Sequence, residues 1–205
     1  MVELLIVITI ICLLATFTVP AIGSIMAGRA LGDSVDRAWS AVSAARQVAI
    51  AKQAPVALLF TVDRQSASIE KSDAFILMAA KSTVAADGST SWKWMPEGTW
   101  RKLPHGVQLL IGEDAGNLGS AGFYSSASSA LPTSYNQISA SLPRLEGEII
   151  AGYSFVVFRP DGSVDAPASN PFFEFKRLRA ATTNSDFALV ISPDSGRSRV
   201  VQYLP

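Results

Sequence analysis

Catalysis by side chains needs a nucleophile, a base and a group that orients them, and this 205-residue chain holds few such sets. It has one histidine, His105, and one cysteine, Cys12. A zinc site takes three or four Cys, His or carboxylate ligands, so these two, far apart in sequence, point to no metal centre. Ser68 and Lys71 have the Ser-x-x-Lys spacing, but they lie in a strand-like run without the companion motifs of that chemistry, and chance is the better reading. There is no Gly-x-Ser-x-Gly elbow, no glycine-rich phosphate loop with a lysine and no His-Glu-x-x-His helix. Asp161 with Asp165, or Glu146 with Glu148, are near enough in sequence to act as an acid–base pair or to bind calcium, although solvated turn carboxylates are commoner. The residues predict no enzyme, no cofactor and no metal.

Binding chemistry is the next possibility. Seventeen Lys and Arg balance seventeen Asp and Glu, so there is no global attraction for nucleic acid and only local patches remain. Trp92, Trp94 and Trp100 interleave with Lys93, Arg101 and Lys102, a composition suited to stacking bases or sugars. Because Trp92 and Trp94 are two apart and share a strand face, packing of a hairpin explains them better. His105, between Pro104 and Gly106, reads as a turn residue. Arg197 and Arg199 share a face in the same way, beside a turn. Two arginines hold too little phosphate alone, so a DNA reading needs Lys176, Arg177 or Arg179 to join them from a neighbouring strand.

The elements that carry these residues follow from hydropathy and turn chemistry. Charged residues are 17% of the chain against about 25% in ordinary soluble domains. The deficit lies at the start, where residues 4–22 contain no Asp, Glu, Lys or Arg. Nineteen helical residues reach roughly 28 Å, close to the ~30 Å hydrocarbon core of a bilayer. A secretory signal would carry a basic start and a shorter apolar stretch, and a core helix would rarely be apolar on every face, so membrane insertion is the expectation. Glu3 either stays at the headgroup level, favoured by the helix dipole, or meets a partner cation. Pro20 and Gly23, followed by Gly28 and Gly32, predict a break or bend in the helix. Beyond it Val35, Ala38, Trp39, Val42, Ala45 and Ala49 recur at helical spacing, which predicts an amphipathic helix over 33–53 that Pro55 ends.

After Pro55 the period becomes that of strands, at 55–62, 74–80, 107–111, 153–158, 172–178, 187–191 and 198–204. Pro160-Asp161-Gly162-Ser163 and Pro193-Asp194-Ser195-Gly196 read as hairpin turns. A helix followed only by strands gives an α+β fold. The Ser-, Ala- and Gly-rich stretch 116–143 reads as an exposed insertion loop. Residues 1–28 thus form a membrane or assembly helix, and 29–205 a globular domain whose part from 55 to 205 is β-rich.

The string Met1-Val2-Glu3-Leu4-Leu5, the apolar run after it and Pro20 together resemble the N-terminal helix of type IV pilins and type II secretion pseudopilins, whose mature chains begin Phe-Thr-Leu-Val-Glu. Further short strings resemble minor pseudopilins of the GspH/FimT type: Ala44-Ala45-Arg46-Gln47 with Pro55-Val56, Leu103-Pro104-His105-Gly106, Phe158-Arg159-Pro160-Asp161-Gly162-Ser163 and Gly196-Arg197-Ser198-Arg199. The resemblance implies a pilin-like fold, with a long N-terminal helix packed on an antiparallel sheet. It implies a single-pass protein of a bacterial inner membrane with its domain in the periplasm, serving as a structural subunit of a type IV pilus or a type II secretion pseudopilus. Implied partners are other pilins through N-terminal helix packing, the inner-membrane assembly platform and the lipid bilayer before assembly. Glu3 would set register by pairing with the terminal ammonium of an adjacent subunit. Met1 stands where the family has its third mature residue, so a longer precursor with a basic leader, cut by a prepilin peptidase, is expected. In DNA-uptake relatives a Gly-Arg-x-Arg string near the C-terminus carries DNA binding, which makes Arg197 and Arg199 the residues of the alternative function.

Overall fold

The computed structural model describes residues 2–61, 63–64, 69–72, 74–84, 90–104, 107–112, 123–126, 135, 137–147, 149–150, 152–166, 171–177 and 187–202. Helix α1 (Val2–Lys52) comes first. The strands follow: β1 (Val56–Thr61), β2 (Asp63–Arg64), β3 (Ile69–Ser72), β4 (Ala74–Val84), β5 (Thr90–Pro96), β6 (Arg101–Lys102), β7 (Val107–Gly112), β8 (Tyr124–Ser125), β9 (Tyr153–Phe158), β10 (Val164–Asp165), β11 (Phe172–Arg177), β12 (Phe187–Ile191) and β13 (Ser198–Gln202). The described pairings are all antiparallel, and the fold is α+β.

From Leu31 onward α1 is bound to the domain by one apolar stripe. Leu31, Val35, Ala38, Val42, Ala45 and Ala49 alternate steps of four and three and are all buried, flanked by Ser34 and Ala41. The alanines let the helix backbone approach the sheets closely, and the hydroxyl of buried Ser34 donates to the Ala30 carbonyl at 2.8 Å. Trp39, expected on this face, is instead 48% exposed. At 100° per residue it lies about 90° from the stripe's centre, so its bulk points along the flank into solvent. The helix ends where Pro55 requires: Gln53 turns left-handed at φ 50° and its side-chain amide donates to the Ile50 carbonyl.

At the other end, α1 continues through Pro20 and Gly23, where the sequence reads a break or bend. A proline deletes one amide donor and bends a helix without having to end it, and a glycine lowers propensity by only about 1 kcal/mol. The side chains of residues 15–28 lie outside the described residues.

Two sheets lie against the helix. The first runs in the order β10-β9-β1-β4-β5, with β6 also on β4 and β8 on β9; the second runs β13-β12-β11-β7-β3-β2. In β1 all six side chains are buried, and so are all six of β9, its partner in the register Val56↔Phe158 to Thr61↔Tyr153. Alternate residues of these strands serve two different cores. Val56, Leu58 and Phe60 join Val156 and Phe158 under α1, where they meet Leu109, Phe173 and Leu189 of the second sheet. Ala57 and Leu59 point the other way, with Phe155 and Val157, into a core with Trp94, Tyr135 and Ile138.

This second core corrects the reading of 116–143 as an exposed insertion loop. Its described residues cover the face of the first sheet that α1 leaves open. Tyr124 adds a short strand to β9 and stacks on Phe155 at 5.3 Å. Tyr135 and Ile138 are buried, and a single 3₁₀ turn, Ser139–Ser141, follows them. Residues 116–122, 127–134 and 136 of that stretch lie outside the described residues.

Candidate functional site

No set of side chains gathers for catalysis among the described residues. Asp161 and Asp165 are parted by the turn that joins β9 to β10. The Asp161 carboxylate accepts the Ser163 hydroxyl at 2.6 Å and the Ser163 amide at 2.8 Å, and these bonds, the hydroxyl's first, hold its pKa below the usual range. Asp165 accepts the Tyr135 hydroxyl at 2.6 Å and the Tyr124 hydroxyl at 3.1 Å, with the Arg159 guanidinium 3.4 Å away. Its role is structural: it fastens the covering segment to β10. Glu146 pairs with Lys102 at 2.7 Å on the surface. Ser68, His105 and Glu148 lie outside the described residues, and no group of three metal-ligating side chains occurs among the described ones.

Burial, and then the Asp165 charge and hydrogen bond, push Tyr124 up to about 12 and Tyr135 further still. A phenol whose folded pKa is raised contributes stability that is complete below its unfolded value of about 10 and is lost as pH rises toward the folded one. Alkaline titration followed by tyrosinate absorbance is therefore expected to show these two ionising late, together with loss of the fold. In Asp165→Asn they should ionise earlier, though not as early as free tyrosine, because burial remains. Unchanged titration in that variant would contradict the network.

The aromatic and basic candidates separate in the same way. Trp94 is buried edge-to-face on Tyr135 at 6.0 Å, Trp92 packs on the same cluster, and the Trp100 indole donates to the Pro143 carbonyl at 2.8 Å. They are packing residues: Trp94 is buried and Trp92 and Trp100 are half-buried, while Lys93, Arg101 and Lys102 are exposed. An open cleft of roughly 540 Å³ separates α1 from β6, but its charges are mixed, and Arg37 is held at once by Asp33 at 2.8 Å and by the Lys102 carbonyl at 3.3 Å.

Arg197 and Arg199 are both exposed, Arg199 on the edge strand β13 and Arg197 just before it. The neighbouring strand is β12, not the strand of Lys176 and Arg177. The register runs Arg199↔Val190 and Val190↔Phe172, so Arg177 is two strands across and five residues along from Arg199. At 3.3 Å per residue and 4.8 Å per strand this is close to 20 Å. The backbone register therefore does not set Arg177 beside Arg199, as a DNA reading needs; the side chains of Lys176 and Arg177, and Arg179, lie outside the described residues.

What the described surface does concentrate is apolar area on the N-terminal part of α1. Leu4, Ile6, Val7, Ile8, Ile10, Ile11, Leu13 and Leu14 are between 50% and 66% exposed, and at 100° per residue they spread over about 220° of the circumference, well beyond the width of a single stripe. Glu3 is exposed beside them. Among the described residues no helix is long and apolar enough to cross a membrane. The described side chains of the run stop at Leu14, so they include only the first part of the expected span over residues 4–22.

No family model, curated protein or solved structure matches the chain. Its function is therefore argued from its own residues.

Proposed function

We propose that this chain is a membrane-anchored minor pilin or pseudopilin, a structural subunit with a pilin-like fold whose N-terminal helix is held first by the bilayer and then by the helices of neighbouring subunits. The observation that carries the reading is the contrast within α1. From Leu31 its apolar side chains form a single buried stripe, whereas from Leu4 to Leu14 they spread over more than half of the helix circumference and are left open. Burying a Leu, Ile or Val is worth roughly 1.5–3 kcal/mol, so eight such side chains on one short stretch call for a cover that the domain does not supply. In this reading lipid provides it before assembly and sibling helices provide it after, with the domain on the periplasmic side of an inner membrane, as the pilin resemblance implies.

Glu3 is the one acid in the first turn of α1 and directly precedes the apolar stretch. A carboxylate carried into lipid costs up to about 2.5–3.5 kcal/mol unless paired, so a cationic partner in a neighbouring subunit favours the assembled state over the membrane-stored one. The full-length chain should stay in the membrane fraction after alkaline washing. Glu3→Gln should stay there too, yet enter assembled filaments at least tenfold less than the unsubstituted chain. A full chain found in the soluble fraction would defeat the anchoring, and equal incorporation of the variant would defeat the register role. The DNA-uptake alternative is weaker, since Arg197 and Arg199 gain no support from Arg177.

A further inference from the structure

Three of the short strings distinguished in the sequence, around Arg46, Pro160–Ser163 and Gly196, meet at one corner of the molecule. The β9–β10 turn belongs to the first sheet and the β12–β13 turn to the second. The Val164 amide nevertheless donates to the Pro193 carbonyl at 2.7 Å, across from one turn to the other. Arg46 reaches in from α1, and its Nε donates to the Ser195 carbonyl at 2.8 Å. Gly162 is buried at φ +85°, where a Cβ would sit 3.0 Å from Ile50 Cδ1 and 3.2 Å from Arg46 Nε. Gly196 is buried at φ +61°, and a Cβ there would lie 2.1 Å from the Gly162 carbonyl oxygen. A side chain at Gly196 would require the Gly162 backbone to move, and one at Gly162 would be strained by its left-handed φ and would press on the Ile50 and Arg46 side chains.

We propose that Arg46, Gly162 and Gly196 form a clasp through which α1 holds the turns of both sheets together, and that breaking the clasp lets the edge strand β13 and the turn before it open away from the buried strand β12. The inference is independent of the assembly reading. Strand β13 is an edge strand with its side chains largely exposed, and in apolar packing it contributes Val201 against Phe172 and Val190. With so little buried there, the polar tie and the glycine contact carry an unusual share of what holds that corner closed. The clasp also gives the Gly-Arg-Ser-Arg string a structural meaning: its glycine is demanded by the Gly162 carbonyl, whatever its arginines bind.

Arg197 and Arg199 report the opening directly, because trypsin cuts after arginine only in a locally unfolded segment. In full-length chain held in detergent, cleavage at these two sites should be slow. Arg46→Ala should raise it about ten- to hundredfold, the range expected for losing a hydrogen bond from a charged donor. Arg46→Lys, which keeps charge but not the planar fork, should fall between. Gly196→Ala should match or exceed Arg46→Ala. Ile76→Ala, a truncation on β4 in the other core and three strands from β10, serves as the control for general loss of stability and should raise cleavage at all lysines and arginines alike. The proposal is overturned if Arg46→Ala is cut at the unsubstituted rate, if its cuts follow the uniform pattern of Ile76→Ala, or if the unsubstituted chain is already cut at Arg197 and Arg199 as fast as an unfolded peptide. Should Gly196→Ala fail to fold, the two Arg46 variants decide alone.

Discussion

A chain without residues 1–28 is expected to fold, to leave the membrane fraction entirely and to remain in solution. Both main cores are built from Ala30 onward, and the described side chains within residues 1–28 are exposed, so the deletion removes nothing that the cores are seen to use. What it removes is the partly exposed apolar surface of eight side chains, worth on the order of 10 kcal/mol when transferred to lipid or to partner helices. A change of that size converts a membrane-bound chain to a soluble one without intermediate behaviour. The buried Trp94 gives the fold its own readout: near-ultraviolet dichroism of the shortened chain should match that of the full chain in detergent. Aggregation with loss of that signal would mean that the N-terminal part of α1 belongs to the domain core, and would remove the basis for the anchoring proposal.

Much of the fold was legible because its signals are local. The runs at 153–158 and 187–191 coincide with β9 and β12, and both proline-containing turns join antiparallel strands as their chemistry demands. Pro55 places the helix end within a residue or so. What the sequence hid are the cross-chain relations. Which strands neighbour each other depends on topology, and Arg177 and Arg199, similar in type and each on a β-strand, end up in different parts of one sheet. The covering segment was hidden by composition, since Ser, Ala and Gly dominate 116–143 and mask the few aromatics that bury.

One signal pointed to that cover. An antiparallel strand with one solvated face alternates polar and apolar residues, yet 56–60 and 155–158 read as unbroken apolar runs. Both faces of such strands must be covered, and among the described residues a single α-helix is there to cover one of them. Some other segment had to supply the second layer, and Tyr124, Tyr135 and Ile138 lie in the stretch that does. Trp39 carries the opposite lesson. Apolar residues at three-to-four spacing define a stripe, but a position adjacent to the stripe has the same type without the same direction.

That difference in direction sets the last expected result, a comparison of two aromatic truncations. Phe60 is 1% exposed and stands where the layers meet: its ring lies 4.7 Å from Phe173 of the second sheet, and 6.2 Å from both Phe75 of the first and Phe123 of the covering segment. Phe60→Ala takes a filled ring position out of a junction that three independent elements share, and rigid strands on both sides cannot collapse into the space. The loss should be about 3–5 kcal/mol, the upper range for aromatic-to-alanine changes. For a domain of this size that lowers the melting temperature by roughly 6–20 °C. Trp39→Ala removes a larger side chain, but from a position 48% open to solvent and away from the helix's buried stripe. Its cost should stay within about 0.5 kcal/mol, and the melting temperature should barely move. Thermal unfolding of both variants, read by dichroism, tests the assignment of helix faces: a Trp39 cost near that of Phe60 would place Trp39 in the core after all, and turn α1 by a quarter of a revolution against the sheets.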